Sequence, residues 1–273
     1  MSTLTITTIQ TNLHWESKRA NLAMFEKKIF SMEERTEVVV LPEMFSTGFS
    51  MNAKELAETM DGETVQWMKR IAAEKNIILT GSLIIEEGGH FYNRLVWMLP
   101  NGQYGVYDKR HRFAYAGEDQ YYTAGNKRLI TSVKGWKINL QVCYDLRFPV
   151  WARQSPPLHP ERGLGGEAEY DVLIYVANWP ERRSIAWKTL LVARAIENQC
   201  YVVGVNRVGN DGNNIYHSGD SMIVDPMGEI LYHVQDEEDV FTITLDKTHL
   251  EAVREKLPFW KDADRFRILN DEE

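Results

Sequence analysis

Cysteine is scarce in this chain: there are two in 273 residues, Cys143 and Cys200. Two thiols cannot build a disulfide framework, so a small stapled scaffold is excluded. Positive charge is also short, with 31 lysines and arginines against 39 acids and a formal net charge of -8. A chain of that sign repels nucleic acid, which argues against a large phosphate-binding surface but not against a local basic patch. Long apolar runs are missing too. Stretches such as 38–41 and 171–177 are strand-sized, far below the roughly 18 residues that a membrane-spanning helix needs. The first residues lack a basic start followed by an apolar stretch, the mark of a secretory leader. These absences predict a cytoplasmic protein with reduced thiols and with neither membrane nor nucleic acid as a partner.

What is present is globular composition, 44% hydrophobic and 26% charged, which excludes disorder over most of the length. Apolar runs predict strands at 3–10, 38–41, 77–85, 91–99, 104–107, 138–143, 171–176, 201–205, 218–225, 230–233 and 240–246. Helical spacing covers 15–30, with Ala20, Met24 and Ile29 on one face. A second helix starts near Asp61 and turns Val65, Met68 and Ala72 inward. Further helices are expected at 148–153, at 184–198 with Ile185, Thr189, Val192 and Ile196 on one side, and at 250–256. Residues 154–169, with three prolines and three glycines, read as a long loop and not as a linker. The mix of βα units and hairpins suggests a layered α/β sandwich with helices covering the sheets. We expect one domain over residues 1–273, its core at about 4–250 and a charged, extended tail from about 258.

Cys143 lies where a strand ends, in Val142-Cys143-Tyr144-Asp145-Leu146-Arg147. Strand ends in α/β folds open onto crevices where ligands bind. A helix N-terminus there would lower the thiol pKa and favour thiolate. Read alone, Cys143 is either a nucleophile or a buried core residue. Cys200 opens an apolar strand and reads as core filling. A cysteine nucleophile needs a base. The seven histidines (His14, His90, His111, His159, His217, His233 and His249) carry no distinctive motif, and no CxxC or HExxH pattern supports a metal site. Glu43, just past the apolar strand 38–41, is a better base, or else an ordinary loop acid. Lys109, in Tyr107-Asp108-Lys109-Arg110-His111, supplies fixed positive charge to an oxyanion or merely ends an edge strand.

Together these residues are stronger than apart. Leu41-Pro42-Glu43, Tyr107-Asp108-Lys109 and Cys143-Tyr144-Asp145-Leu146-Arg147-Phe148-Pro149, in that order, resemble the nitrilase (carbon–nitrogen hydrolase) superfamily. Ala177-Asn178-Trp179-Pro180 and Gly219-Asp220-Ser221 are further family-like blocks. The sequence after Glu43, Met44-Phe45-Ser46-Thr47-Gly48-Phe49, resembles the bacterial omega-amidase branch. The resemblance implies a four-layer αββα sandwich and a Glu43–Lys109–Cys143 triad. It implies hydrolysis of the terminal amide of 2-oxoglutaramate or 2-oxosuccinamate through a thioester, with no cofactor and no metal. Lys109 and the Tyr144 N–H would hold the oxyanion, and Glu118 would orient Lys109. Arg147 and Arg207 are candidates for the substrate carboxylate, since guanidinium forks match carboxylates. An equal reading of Arg147 is a pair with Asp145 that fixes the turn. Phe45, Phe113, Tyr144 and Trp179 are candidate pocket walls, although core packing is their default role. Membership further implies a homodimer or higher homo-oligomer. Other readings are another branch of the superfamily, or a catalytically inactive interaction protein.

Overall fold

A computed structural model describes residues 2–154, 170–264, 266 and 268. The β-branched opening segment forms β1 (Thr3–Gln10), followed by α1 (Lys18–Phe30), β2 (Val38–Val40), α2 (Ala53–Leu56) and α3 (Glu63–Lys75). A hairpin of β3 (Ile78–Glu87) and β4 (His90–Met98) comes next, then β5 (Tyr104–Asp108) and the short α4 (Glu118–Tyr121). Its turn is Gly88-Gly89, both left-handed, the backbone a tight hairpin demands. β6 (Leu129–Val133) and β7 (Trp136–Val142) lead into a 3-10 turn, Cys143–Arg147, and then α5 (Pro149–Ala152). The remainder is β8 (Val172–Val176), α6 (Ser184–Asn198), β9 (Tyr201–Val205), β10 (Val208–Asn210), β11 (Tyr216–Val224), β12 (Ile230–Gln235), β13 (Asp239–Asp246) and α7 (Lys247–Lys256).

The strands make two mixed sheets. One has the order β13-β1-β2-β3-β4-β5, the other β10-β11-β9-β8-β7-β6 with β12 beside β11. Each has a parallel centre, β1-β2-β3 in one and β7-β8-β9 in the other. Alternation along the strands explains the layering. Val38 and Val40 enter one core with Ile138, Leu140, Val172 and Val203 from the second sheet. Val39 and Leu41 enter a second core with Phe25 and Ile29 of α1 and Val65, Met68 and Ala72 of α3. α6 covers the outer face of the second sheet: Leu191 and Trp187 lie so close to Gly204 of β9 that a Cβ there would stand 2.5 Å from Leu191 Cδ1. The result is the expected αββα sandwich.

Two helix faces differ from expectation. α1 begins after Ser17, so Trp15 lies outside it, and the phase is set by Leu22, Phe25 and Ile29, with Asn21 also buried. In α6 the buried side carries Trp187, Leu191 and Ala195. Trp187 fixes that rotation, because its indole N–H donates to the Asp220 carbonyl at 2.7 Å. Ile185 and Ile196 therefore point outward, 80% and 51% exposed. β6 and β10 and the short α2 and α4 are additional elements. The tail expected to be extended opens with a 3-10 turn, Phe259–Asp262. The expected loop at 154–169 lies outside the described residues beyond Gln154.

Candidate active site

Three chain segments arrive at one end of the two sheets. β2 ends at Val40, and the chain then turns through Leu41-Pro42-Glu43. Ser82 of β3 fixes the turn: its Oγ accepts the Met44 N–H at 2.9 Å and its carbonyl accepts the Phe45 N–H at 3.0 Å. Lys109 follows β5, its N–H bonded to the Asn93 carbonyl at 3.0 Å. Cys143 follows β7 with φ of 45°, a left-handed backbone costly for a side-chain-bearing residue. Asp145 holds that turn. Its Oδ2 accepts the Val142 N–H at 3.1 Å and the Tyr107 hydroxyl at 2.7 Å. Its Oδ1 lies 2.8 Å from His111 Nδ1 and accepts the His111 N–H at 3.0 Å. Asp145 is thus satisfied without Arg147, and the pairing of those two is not formed.

Glu43, Lys109 and Glu118 are buried together. Lys109 Nζ donates to Glu43 Oε1 at 2.9 Å and to both oxygens of Glu118 at 3.0 and 2.9 Å. Asn93 Nδ2 also donates to Glu43 Oε1, at 2.8 Å, and Asn178 N donates to Oε2 at 2.8 Å. The Phe113 N–H donates to Glu118 at 2.5 Å. Burial works against the charge on Lys109, but Glu118 and then Glu43 outweigh it and raise its pKa, so the ammonium is a fixed cation. Burial pushes the Glu118 carboxyl up, opposed by Lys109 and reinforced by Glu43. Burial and the neighbouring Glu43 also push the Cys143 thiol well above its ordinary value, with Lys109 pulling the other way. Burial at this strand end thus works against the thiolate that a helix N-terminus alone would favour, and leaves the thiol to a neighbouring base, Glu43.

Cys143 is 8% exposed, and its exposed part opens into a cavity of about 530 Å³. Phe113, Tyr144, Trp179 and Arg147 line that cavity as expected. Phe45 and Arg207 do not. Phe45 packs edge-on against Phe25, ring centres 5.7 Å apart, inside the helix-facing core. Arg207 is buried beside β10, donating to Asn12 Oδ1 at 2.7 Å and to the Val208 and Asn210 carbonyls at 3.2 and 2.8 Å. Its role there is to tie strand ends together. Cys200 is fully buried in the shared core. Among the described residues, no group of three or more histidine, cysteine, aspartate or glutamate side chains is placed to hold a metal.

Asn93 and Arg183 were not anticipated, Asn178 was named only within a family-like block, and Asp145 was expected to fix the cysteine turn but with Arg147 as its partner. Asn178 follows β8, a strand end like those of Glu43 and Cys143, and that position was the available signal. Asn93 is mid-strand and Arg183 belongs to a charged triplet, Glu181-Arg182-Arg183, that reads as solvent-facing. Chemically, the arrangement offers a thiol, a carboxylate in contact with it, and a permanent cation behind both, at the floor of an open cavity.

The carbon-nitrogen hydrolase family model matches residues 5–255. Omega-amidase YafV of Yersinia enterocolitica is 42% identical over 98% of this chain and 100% of its own length. 2-Oxoglutaramate amidase of Bacillus subtilis is 33% identical over 94% of this chain and 96% of its own. A CN-hydrolase superfamily protein from Xanthomonas campestris, with an arsenic adduct in its active site, superposes with a TM-score of 0.95 at 40% identity, covering 98% of this chain and 100% of that one.

Proposed function

Because the chain belongs to the carbon-nitrogen hydrolase family, in its omega-amidase branch, we propose that Cys143 is its nucleophile, Glu43 its general base and Lys109 its oxyanion cation. The protein is an amidase that hydrolyses carbon–nitrogen bonds, with 2-oxoglutaramate as its substrate and its shorter homologue 2-oxosuccinamate as a second. The observation that carries the residue assignment is the buried Glu43–Lys109–Glu118 cluster beside Cys143 at the cavity floor.

In this scheme Glu43 takes the thiol proton as Cys143 Sγ bonds to the amide carbon. The carbonyl electron pair becomes an oxyanion beside Lys109 and the Tyr144 N–H, which lies in the first turn of the 3-10 helix, where backbone donors lack partners within the helix. Glu43 then protonates the nitrogen, the carbon–nitrogen bond breaks, and ammonia leaves a thioester. Water, deprotonated by Glu43, attacks that thioester and releases the 2-oxo diacid with the thiol restored. Glu118 holds Lys109 through two bonds. Arg147, on the cavity wall, meets the far carboxylate.

The test is ammonia release from 2-oxoglutaramate, 2-oxosuccinamate, a nitrile and an N-carbamoyl amino acid, run beside Cys143→Ala. The two oxo-amides are expected to be turned over, and Cys143→Ala to lose turnover while remaining folded. A variant that keeps most of its activity would remove Cys143 from the mechanism, and preference for the nitrile or carbamoyl compound would move the chain to another branch.

We also place the protein in the cytoplasm as a homodimer or larger homo-oligomer. Two buried free thiols suit a reducing compartment. The outward face of α6, with Ile185 and Ile196 exposed, suits a second copy. Among the described residues no helix is long and apolar enough to cross a membrane.

A further inference from the structure

The cavity above Cys143 is lined by three arginines, Arg147, Arg182 and Arg183. Among the described residues no carboxylate forms an ion pair with any of them, in a chain that holds more acids than bases. The two acids on the cavity wall are engaged elsewhere. Glu16 accepts the Ser50 hydroxyl at 2.5 Å, and Asp211 accepts the Asn213 and Ile215 N–H groups at 2.8 and 2.9 Å.

Arg182 is exposed, but Arg147 and Arg183 are half-buried and held in place. The Arg147 guanidinium lies over the Trp179 ring at 4.9 Å, and that of Arg183 over Phe113 at 5.0 Å. Trp179 joins the two arms. Its face carries Arg147, and its indole N–H donates to the Arg183 carbonyl at 2.8 Å. Phe113 is in turn fixed by its N–H bond to Glu118. Burial first, then Arg182 and Arg147, work against the charge on Arg183, whereas a negative charge on Cys143 supports it. Arg183 shares the wall of one cavity with Arg147 and with the nucleophile. Two ring-stacked guanidinium groups of like charge, with no counter-ion among the described residues, are relieved by an anion bound between them.

We propose that Arg183 is a specificity-determining residue, the second arm of a clamp with Arg147 that takes the 2-oxo-carboxylate end of the substrate while the amide lies at Cys143. The clamp selects short amides carrying an anionic far end and discriminates against neutral ones, because a site built for a charged group leaves its donors unpaired when that group is missing. This rests on the amidase reading above.

The test compares wild type, Arg183→Met and Arg183→Lys on 2-oxoglutaramate and on neutral pentanamide, with kcat and KM measured separately. Arg183→Met is expected to raise KM for 2-oxoglutaramate about tenfold or more, with a much smaller change in kcat and little change in kcat/KM for pentanamide. Arg183→Lys is expected to recover only part of the loss, since an ammonium lacks the fork. In a Cys143→Ala background, calorimetry is expected to show 2-oxoglutarate binding weakened about tenfold by Arg183→Met. Undiminished preference for the acid amide, or equal losses on both amides, overturns the clamp and leaves the amidase reading standing. Wild-type turnover of pentanamide without turnover of 2-oxoglutaramate overturns the substrate reading itself, and the clamp with it.

Discussion

A thiol held above its ordinary pKa by burial is a poor nucleophile until a base removes its proton, so the reactivity of Cys143 depends on Glu43. Glu43→Gln keeps a side chain of similar shape but has no basic oxygen. We expect it to lower kcat by about 10²- to 10⁴-fold, with no acyl adduct seen by intact mass after mixing with 2-oxoglutaramate. A normal acyl-enzyme in that variant would require another base. His217, also on the cavity wall, gives a pH effect of a different kind. Burial first, then Arg207, lower its pKa from 6.5 to about 4. The unfolded chain then binds a proton that the folded one refuses, so stability is lost as pH falls from 6.5 towards 4. The size is on the order of 3 kcal/mol from the 1.36 kcal/mol per pKa unit. His217→Gln should flatten the pH dependence of the urea midpoint over that window, and an unchanged slope would assign the acid sensitivity to other groups. Glu43, Lys109, Glu118 and Cys143 were legible because each closes or follows a strand or loop in a recognisable order. Asn93 and the true partner of Asp145 were not, because they depend on pairings 50 and 38 residues apart, with Glu43 and Tyr107, and no local pattern reports such pairings.

The accuracy of the base depends on how β2 and β3 meet. Gly81 of β3 has no Cβ, and one placed there would stand 2.8 Å from Phe45 Cδ1 and 2.9 Å from Leu41 Cβ. Leu41 and Phe45 bracket Glu43, so this contact sets the path of the turn that carries the carboxylate. Gly81→Ala is expected to cost roughly 1–3 kcal/mol by overpacking and also to lower kcat, since a displaced Glu43 loses its contact with Cys143. Loss of stability with kcat intact would show that the turn adapts without moving the base. Long strands and α3 were legible from their periodicity, because one face of each is buried and the other is not. β10 and the short α2 and α4 were not, since three or four residues carry no period. The phase of α6 was misjudged for a different reason. Its isoleucines form a second apolar stripe outside the monomer core, and a polar contact, Trp187 to the Asp220 carbonyl, decides which stripe faces in.

At the scale of the whole molecule, that outer stripe has to be reconciled with a net charge of -8. The acidic surface favours dispersion, and the cationic cavity mouth gathers anions locally. Neither explains exposed isoleucines on a helix. Gly228 abuts Ile196, so the apolar surface continues into Met227, itself 52% exposed. An interface stable in solution buries roughly 1,200–2,000 Å² in total, and a helix face crossed by its own copy about a two-fold axis presents the same residues from both sides. On the proposed homo-oligomer, light scattering of the wild type should give at least twice the 31.6 kDa chain mass. Ile185→Asp with Ile196→Asp should shift that mass towards the single chain, because two carboxylates per copy would be buried without partners. α6 also follows the segment that carries Arg183, so a monomeric double variant is expected to show a raised KM as well as a lower mass. A double variant that keeps the wild-type mass would move the interface to another face, and a monomeric wild type would remove it.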